Sequence, residues 1–468
     1  MITIKKKYVR YDMTENKGKN SNIELIRGDY KVAIKKLAWP MMVSMFLIMA
    51  YNLADSIWVA GLGADALAAI GFITPLFMIL VGLGNGIGAG ANSMIARFIG
   101  AKNTENANNT ALHSLLLTVI ISVLGSIVMF IVLPSLLDVM GAGTAKTAAL
   151  EYGNIVFAFM IIFIYNGVGT SILRSEGDVQ RAMYVMAVTA IFNIILDPIF
   201  IYILNMGIIG AAWATIFSGF LSALVLLYWM HYKKDTYLDL SLKNFKYNTS
   251  IIRGILNVAI PSTAENLIFS ALGIIENYLL VIVAGTVAVA TYTAGMRLIQ
   301  LSMIPLIGFG TALLTVVGAS YGAKDYQKLR NAFVYTLKLG LLVSTVMAVI
   351  FFLFAPQISS VFAYGSSADL APRIATLIQI MIIFIYAVCL GMISAMMFQG
   401  VGKGFTSLIL TFIRALLLEV VFSYLFGIVF NLGEYGVYYG VVLGGFLGGI
   451  LSFTWAIFYI KRLISNYN

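Results

Sequence analysis

The sequence predicts an all-α polytopic membrane protein with twelve transmembrane helices in two pseudo-symmetric six-helix lobes. Three observations predict it. Hydrophobic residues make up 60% of the 468 residues and charged residues only 11%, against about 25% charged in an ordinary soluble chain. The apolar residues fall in runs such as LLLTVIISVLGSIVMFIVL (115–133) and LKLGLLVSTVMAVIFFLFA (337–355), and about 20 apolar residues in a helix match the hydrocarbon thickness of a bilayer. Finally, the second half of the chain repeats the first.

Residues 1–36 are polar and basic, with no short apolar core before a cleavage site, and read as a cytoplasmic leader rather than a secretory signal. A first lobe over 37–231 is expected to hold spans near 37–61, 67–98, 110–133, 147–171, 182–204 and 208–231. The connection 232–253 reads as a cytoplasmic linker between lobes. A second lobe over 254–462 follows, with spans near 254–284, 287–320, 332–355, 370–398, 406–428 and 435–460, and then a tail over 463–468. Pro40, Pro75, Pro261 and Pro305 fall inside spans, and the 43 glycines suit close helix packing in lipid. The single Cys389 rules out a disulfide within the chain.

Orientation comes from Lys and Arg in the connections. The N-terminal segment carries ten, and Lys233, Lys234, Lys243, Lys246 and Arg253 crowd the central connection. Arg97, Lys102, Arg174, Arg181, Lys324, Lys328, Arg330, Lys403, Lys461 and Arg462 fall on that same side, whereas the other side has Lys146 and Arg373. Both termini are therefore expected in the cytoplasm. The +10 net charge expresses this bias, and no basic face interleaved with exposed aromatics argues for nucleic acid.

GAGANSMIARFIGAK (88–102) aligns without gaps on GTALLTVVGASYGAK (310–324), an offset of 222 that also sets Pro134 on Pro356. Pro40 falls on Pro261 at 221, and Gly207 and Gly210 fall on Gly433 and Gly436 at 226. Six spans repeated in the same orientation are a transporter signature, with substrate expected near the boundary between repeats.

An ionisable residue inside a span costs at least a few kcal/mol, so each is a functional candidate. The acids at membrane depth are Asp55, Asp197, Glu265, Glu276 and Glu419; the bases are Arg297 and Arg414, with Lys338 able to snorkel outward. In the second half, pairing of the acids with the two arginines is a sufficient structural reason for them. The first half has no deep Lys or Arg, so Asp55 and Asp197 need a cation, a proton or water. At a rise of ~1.5 Å per residue, Asp55 lies ~27 Å and Asp197 ~22 Å along parallel helices, and Thr215 joins the same layer. Tyr51 and Asn193 stand one turn before the two acids on the same faces. These side chains form an oxygen-rich pocket suited to Na⁺ or to a proton shared between acids; a polar knot that only fixes packing is the alternative. Glu276 falls on Asp55 at offset 221, which makes it a candidate second cation site as well as a candidate partner for Arg297 or Arg414.

Other signals carry less. GLGNGIGAG (82–90) lacks the strand and GK[ST] ending of a phosphate loop, and no Walker A sequence occurs, so ATP is not the expected energy source. His113 and His231 have no metal-ligand spacing. No nucleophile–base set suggests an enzyme, and no cofactor beyond a coupling ion is expected.

YNLADSIWVAGLGADALAAIG (51–71), ILRSEGD (172–178) and NIILDPIFIY (193–202) resemble the multidrug and toxic compound extrusion (MATE) transporters, in particular their DinF-like branch. The resemblance runs from about Leu37 to Arg462. It implies two lobes in a V, alternating access, and export of small organic, cationic or amphipathic compounds across the cell membrane by antiport with H⁺ or Na⁺. Carried onto this chain, the cation-binding residues are Asp55, Asn193, Asp197 and Thr215, with Tyr51, Tyr152, Asn166 and Thr170 supporting the cavity. Glu265, Glu276, Arg297, Arg414 and Glu419 form a candidate second-lobe polar site. NorM-like relatives carry an acid about eight residues past the proline of the seventh span, where this chain has Phe269. A monomer is expected. The competing reading is a lipid-linked precursor flippase of related architecture, which the lack of deep cations in the first lobe disfavours.

Overall fold

The computed structural model describes residues 21–233, 235–362 and 369–466; the leader over 1–20, Lys234 and the last two residues of the tail lie outside them. A short helix α1 (21–27) precedes α2 (Tyr30–Ala60), α3 (Ala64–Gly100), α4 (Thr104–Val139), α5 (Lys146–Ala158), α6 (Met160–Ser175), α7 (Val179–Pro198) and α8 (Gly207–Leu227). Then follow α9 (Thr249–Gly322), α10 (Tyr326–Leu353), α11 (Ala355–Phe362), α12 (Ala371–Gly400), α13 (Gly404–Phe412), α14 (Val420–Tyr424) and α15 (Gly433–Ser465). No strand occurs among the described residues. Ten helices, together with the bent pair α5–α6, are long and apolar enough to cross a bilayer. The 74-residue α9 is two helices joined at Gly285 (φ 74°, ψ −170°), a conformation open to glycine alone, which brings the spans among the described residues to twelve.

Helix starts lie earlier than hydropathy suggests. The side chain of Asn103 caps α4 by accepting from Asn106 N, and Asp325 caps α10 by accepting from Lys328 N. Capping side chains satisfy otherwise orphaned N–H groups and draw polar residues into the first turn. The expected span 147–171 is broken: α5 and α6 meet at a 48° bend. There Ser126 Oγ of α4 donates to Phe157 O at 2.7 Å, and a side chain entering the backbone ladder is a recognised cause of kinking. The span expected over 406–428 is also irregular, with π-helical segments at Ile413–Glu419 and Leu425–Val429.

The repeat is visible in the backbone. Lys102 and Lys324 both take φ 59°, Asn205 and Asn431 take 53° and 54°, and Gly207 and Gly433 take 57° and 64°. A π-helical turn, Ile199–Ile203, follows α7, and Leu425–Val429 repeats it at offset 226. The chain divides into two compact units. One holds residues up to Ala33 and Trp39–Thr263; the other holds Ile34–Ala38 and residues from Ala264 onward.

The 235–253 connection belongs to the first unit and is tied to it. Asn109 Nδ2 donates to Lys246 O at 2.7 Å while its Oδ1 accepts from Lys246 N at 3.2 Å. His113, buried, accepts at Nε2 from Asn248 N at 3.1 Å. Arg181 holds Asp235 through two bonds of 2.7 Å, and Glu176 accepts from the backbone N–H groups of Tyr237 and Leu238. Removal from water pushes the Glu176 carboxyl, which lies between α6 and α7, up to about 8 despite those two donors.

In the second unit α15 presents Gly436, Gly440, Gly444 and Gly448 along one face. A Cβ at Gly444 would lie 2.5 Å from Glu419 Cα, and one at Gly448 would lie 2.5 Å from Arg414 Cβ. This is the backbone-to-backbone approach that small residues permit in membranes. In the first unit α8 offers the related series Gly210, Ala214, Ser218 and Ser222.

Two outcomes follow from this packing. Gly444→Val should overpack the contact between α15 and the π-helical segment Ile413–Glu419 at a cost of about 1–3 kcal/mol, measured as a lower unfolding midpoint in detergent; an unchanged midpoint would contradict the close approach. The Glu176 carboxyl titrates above its unfolded range, so its share of stability is complete below about 4.5 and is lost as pH rises through about 8. Comparing midpoints of wild type and Glu176→Gln across that window checks it, since the glutamine variant should lack the decline.

Candidate functional site

Helices α2, α5, α7 and α8 of the first unit bring six polar side chains together. Asp55 is half-buried on α2, and Asp197 is fully buried on α7. Their carboxyls lie within hydrogen-bonding reach of each other. Asn193, one turn before Asp197, places Nδ2 at 3.4 Å from both Asp197 Oδ1 and Thr215 Oγ1. The Thr215 hydroxyl donates to Ala211 O at 3.0 Å, which leaves its lone pairs for Asn193. Tyr51 and Tyr152 flank both carboxyls, and the Tyr152 hydroxyl reaches Thr215. Pro198, next to Asp197, has no N–H to offer Ile194 O, and α7 passes there into its π-helical turn.

The electrostatics of this cluster are incomplete. Asp55 Oδ1, Asn193 Oδ1 and Asp197 Oδ2 are buried without a hydrogen-bond partner among the described residues. None of the ion pairs among those residues involves either aspartate. Two ionised carboxylates ~4 Å apart repel by about 4 kcal/mol at an effective dielectric of ~20. The pair therefore favours one added positive charge. A proton can be shared between the carboxyls; a hard cation such as Na⁺ would find two carboxylates, an amide oxygen and a hydroxyl, the oxygen donors such ions take.

Asn166 and Thr170 stand elsewhere. Asn166 Nδ2 donates to Gly219 O at 2.9 Å and to Ser222 Oγ at 3.0 Å, tying α6 to α8 beyond Thr215. Thr170, 1% exposed, spends its hydroxyl on Asn166 O at 2.7 Å. Asn166 Nδ2 and the Thr170 hydroxyl are spent on helix packing, while Asn166 Oδ1 is buried without a partner among the described residues.

In the second unit the expected arginine pairing holds for one acid. Arg414 Nη1 lies 3.4 Å from Glu419 Oε1, and its guanidinium sits 5.5 Å above the Phe269 ring. Glu276, aligned with Asp55, takes no arginine: its Oε2 accepts from the Tyr292 hydroxyl at 2.6 Å. Arg297 is exposed on α9 and makes no ion pair among the described residues, because its position points away from the buried acids. Glu265 Oε2 accepts from Gln399 Nε2 at 3.1 Å, while its Oε1 and the nearby Ser407 hydroxyl are buried without a hydrogen-bond partner among the described residues. Tyr292, Gln399 and Ser407 went unnoticed in the sequence; the hairpin at Gly285, which folds Tyr292 back toward Glu276, was the signal.

A repeated set of membrane spans with a charge-deficient pocket inside its first unit defines a membrane transporter rather than an enzyme. The MatE family model matches residues 40–199 and 261–425, and the chain belongs to that family. A solved structure described as the outward-facing conformation of a multidrug resistance MATE family transporter of the MOP superfamily is 39% identical, with a TM-score of 0.92, covering 94% of this chain and 98% of that one. The probable multidrug resistance protein NorM of Thermotoga maritima is 26% identical over 92% of both chains. The FAD transporter of Shewanella oneidensis is 28% identical over 70% of this chain and 73% of its own.

Asn166→Leu should destabilise the α6–α8 contact by about 1–3 kcal/mol through the two lost hydrogen bonds, with the Gly219 carbonyl still held by the Ser222 hydroxyl. Thermal unfolding measures this. Dependence of transport on the driving ion should persist in that variant; its loss would place Asn166 in the cation pocket after all.

Proposed function

We propose that the protein is a secondary active exporter of small organic cationic or amphipathic compounds, driven by antiport with H⁺ or Na⁺ bound at Asp55, Asn193, Asp197 and Thr215. The observation that carries this reading is the carboxyl pair, whose Asp55 Oδ1 and Asp197 Oδ2 are buried and unpartnered beside the equally unpartnered Asn193 Oδ1, and which makes no ion pair among the described residues. A cation entering from outside neutralises the pair in the outward-open state and favours substrate release; inward opening discharges the cation and admits the next substrate. One charge moving down ~100 mV is worth about 2.3 kcal/mol, enough for roughly fiftyfold accumulation before any concentration gradient is counted. Neither ATP nor an organic cofactor takes part. The protein works as a monomer in the cell membrane, with both termini in the cytoplasm as the Lys and Arg bias dictates.

Tyr51 and Tyr152 fit as the polar edge of the substrate path. Multidrug relatives support drug-like substrates, and the flavin transporter among the relatives makes FAD a compound to test beside cationic dyes.

In proteoliposomes, an imposed H⁺ or Na⁺ gradient should drive dye export, and whichever gradient succeeds names the coupling ion. Asp55→Asn should abolish gradient-driven export while leaving insertion and monodispersity intact. Full export by that variant would overturn the proposal.

A further inference from the structure

The second unit holds a set of buried acids that the cation pocket of the first does not use. Register across the repeat is set by Pro40 on Pro261 at one end and by Asn205 on Asn431, with matching left-handed φ, at the other. In that register Glu276 stands where Asp55 stands, and Glu419 stands where Asn193 stands. Both glutamates are buried, at 4% and 1% exposure. Glu276 Oε1 and Glu419 Oε2 have no hydrogen-bond partner among the described residues.

We propose that Glu276, with Tyr292 and Glu419, forms a second proton site whose proton is carried across the membrane in each transport cycle. The proposal stands apart from the pocket at Asp55 and Asp197, although its assay uses the same transport. Charge count argues for it. Glu265, Glu276 and Glu419 share one buried base, Arg414, which lies 3.4 Å from Glu419. Glu265 accepts from Gln399 Nε2 at one oxygen, keeps its Oε1 unpartnered among the described residues, and lies within the field of Arg414. Glu276 has the Tyr292 hydroxyl at 2.6 Å and nothing cationic bonded to it. The groups around it are Tyr292 on the second half of α9, Glu419 and Arg414 on the π-helical segment, and Tyr438 on α15, whose ring stacks on Tyr292 at 5.9 Å. A buried carboxylate with one neutral donor is poorly compensated, and adding a proton removes its charge.

The ligand is a proton rather than Na⁺. Na⁺ needs several oxygen donors around one point, while here a guanidinium borders the cluster and would repel a metal cation. A proton needs a single oxygen. Water on the outer side supplies it, an O–H bond forms at Glu276 Oε1, and the bond breaks when the proton passes to water on the inner side. Tyr292 keeps its own proton and donates to Oε2 in both states.

The test uses the full-length protein in proteoliposomes with the membrane potential clamped at zero and ethidium as substrate. The logarithm of the ethidium accumulation ratio is plotted against the imposed pH difference, and its slope counts protons per substrate. Glu276→Gln should lower that slope by one, a loss of about tenfold in accumulation per pH unit. Tyr292→Phe should keep the slope and shift only the pH at which it is reached. An unchanged slope in folded Glu276→Gln overturns the proposal. As an independent readout, infrared difference spectra between two pH values should show a carboxyl band lost in Glu276→Gln and retained in Asp55→Asn/Asp197→Asn. Absence of a Glu276-dependent band also overturns it. Loss of all export in the aspartate variant with this band intact would concern the first pocket alone.

Discussion

Two carboxyl groups held against each other, with no ion-pair partner among the described residues, constrain everything else in the first unit. A soluble enzyme would meet this situation with water; within a membrane span the surrounding helices must supply the compensation themselves. Tyr51, Asn193 and Thr215 offer hydrogen-bonding groups at spacings of one helical turn, yet the cluster remains short of positive charge. In the proposed function that deficit is what separates a cation site from a polar knot, because the free energy of one arriving cation is largest where no resident one competes with it.

The two units answer the same problem differently. In the first, the acids are left without counter-charge and an amide and a hydroxyl complete the ring of oxygens. In the second, the position of Asn193 is taken by Glu419, and Arg414 on the same π-helical segment balances it. The added guanidinium makes the second cluster less hospitable to a metal ion than the first. A duplicated framework has thus diverged in charge while keeping its caps, its left-handed turns and its ridge of small residues.

Much of this was legible in the residues. Apolar runs mark the spans because bilayer thickness sets helix length, and Asp55 and Asp197 stand out because nothing in their half can pair with them. Contacts distant in sequence were not legible. The bend at Phe159 depends on a hydroxyl 31 residues away, which no local pattern announces. The face on which Arg297 lies depends on the tilt and rotation of its helix, so a basic residue at membrane depth looked like a partner for acids it does not meet. The early starts of α4 and α10 were missed because hydropathy ignores capping: Asn103 and Asp325 read as loop until their side chains are seen closing the first turn.

The glycine face of α15 has a mechanical corollary. Where backbone lies against backbone there are no side chains left to re-pack, so α14 and α15 behave as a single beam. Bending is left to interruptions of the hydrogen-bond ladder that this face does not clamp: Gly285, the junction at Phe159, and the π-helical turn beside Asp197. The joints of the machine are thereby set next to its ionisable groups, so gaining or losing one charge acts where the chain is most compliant.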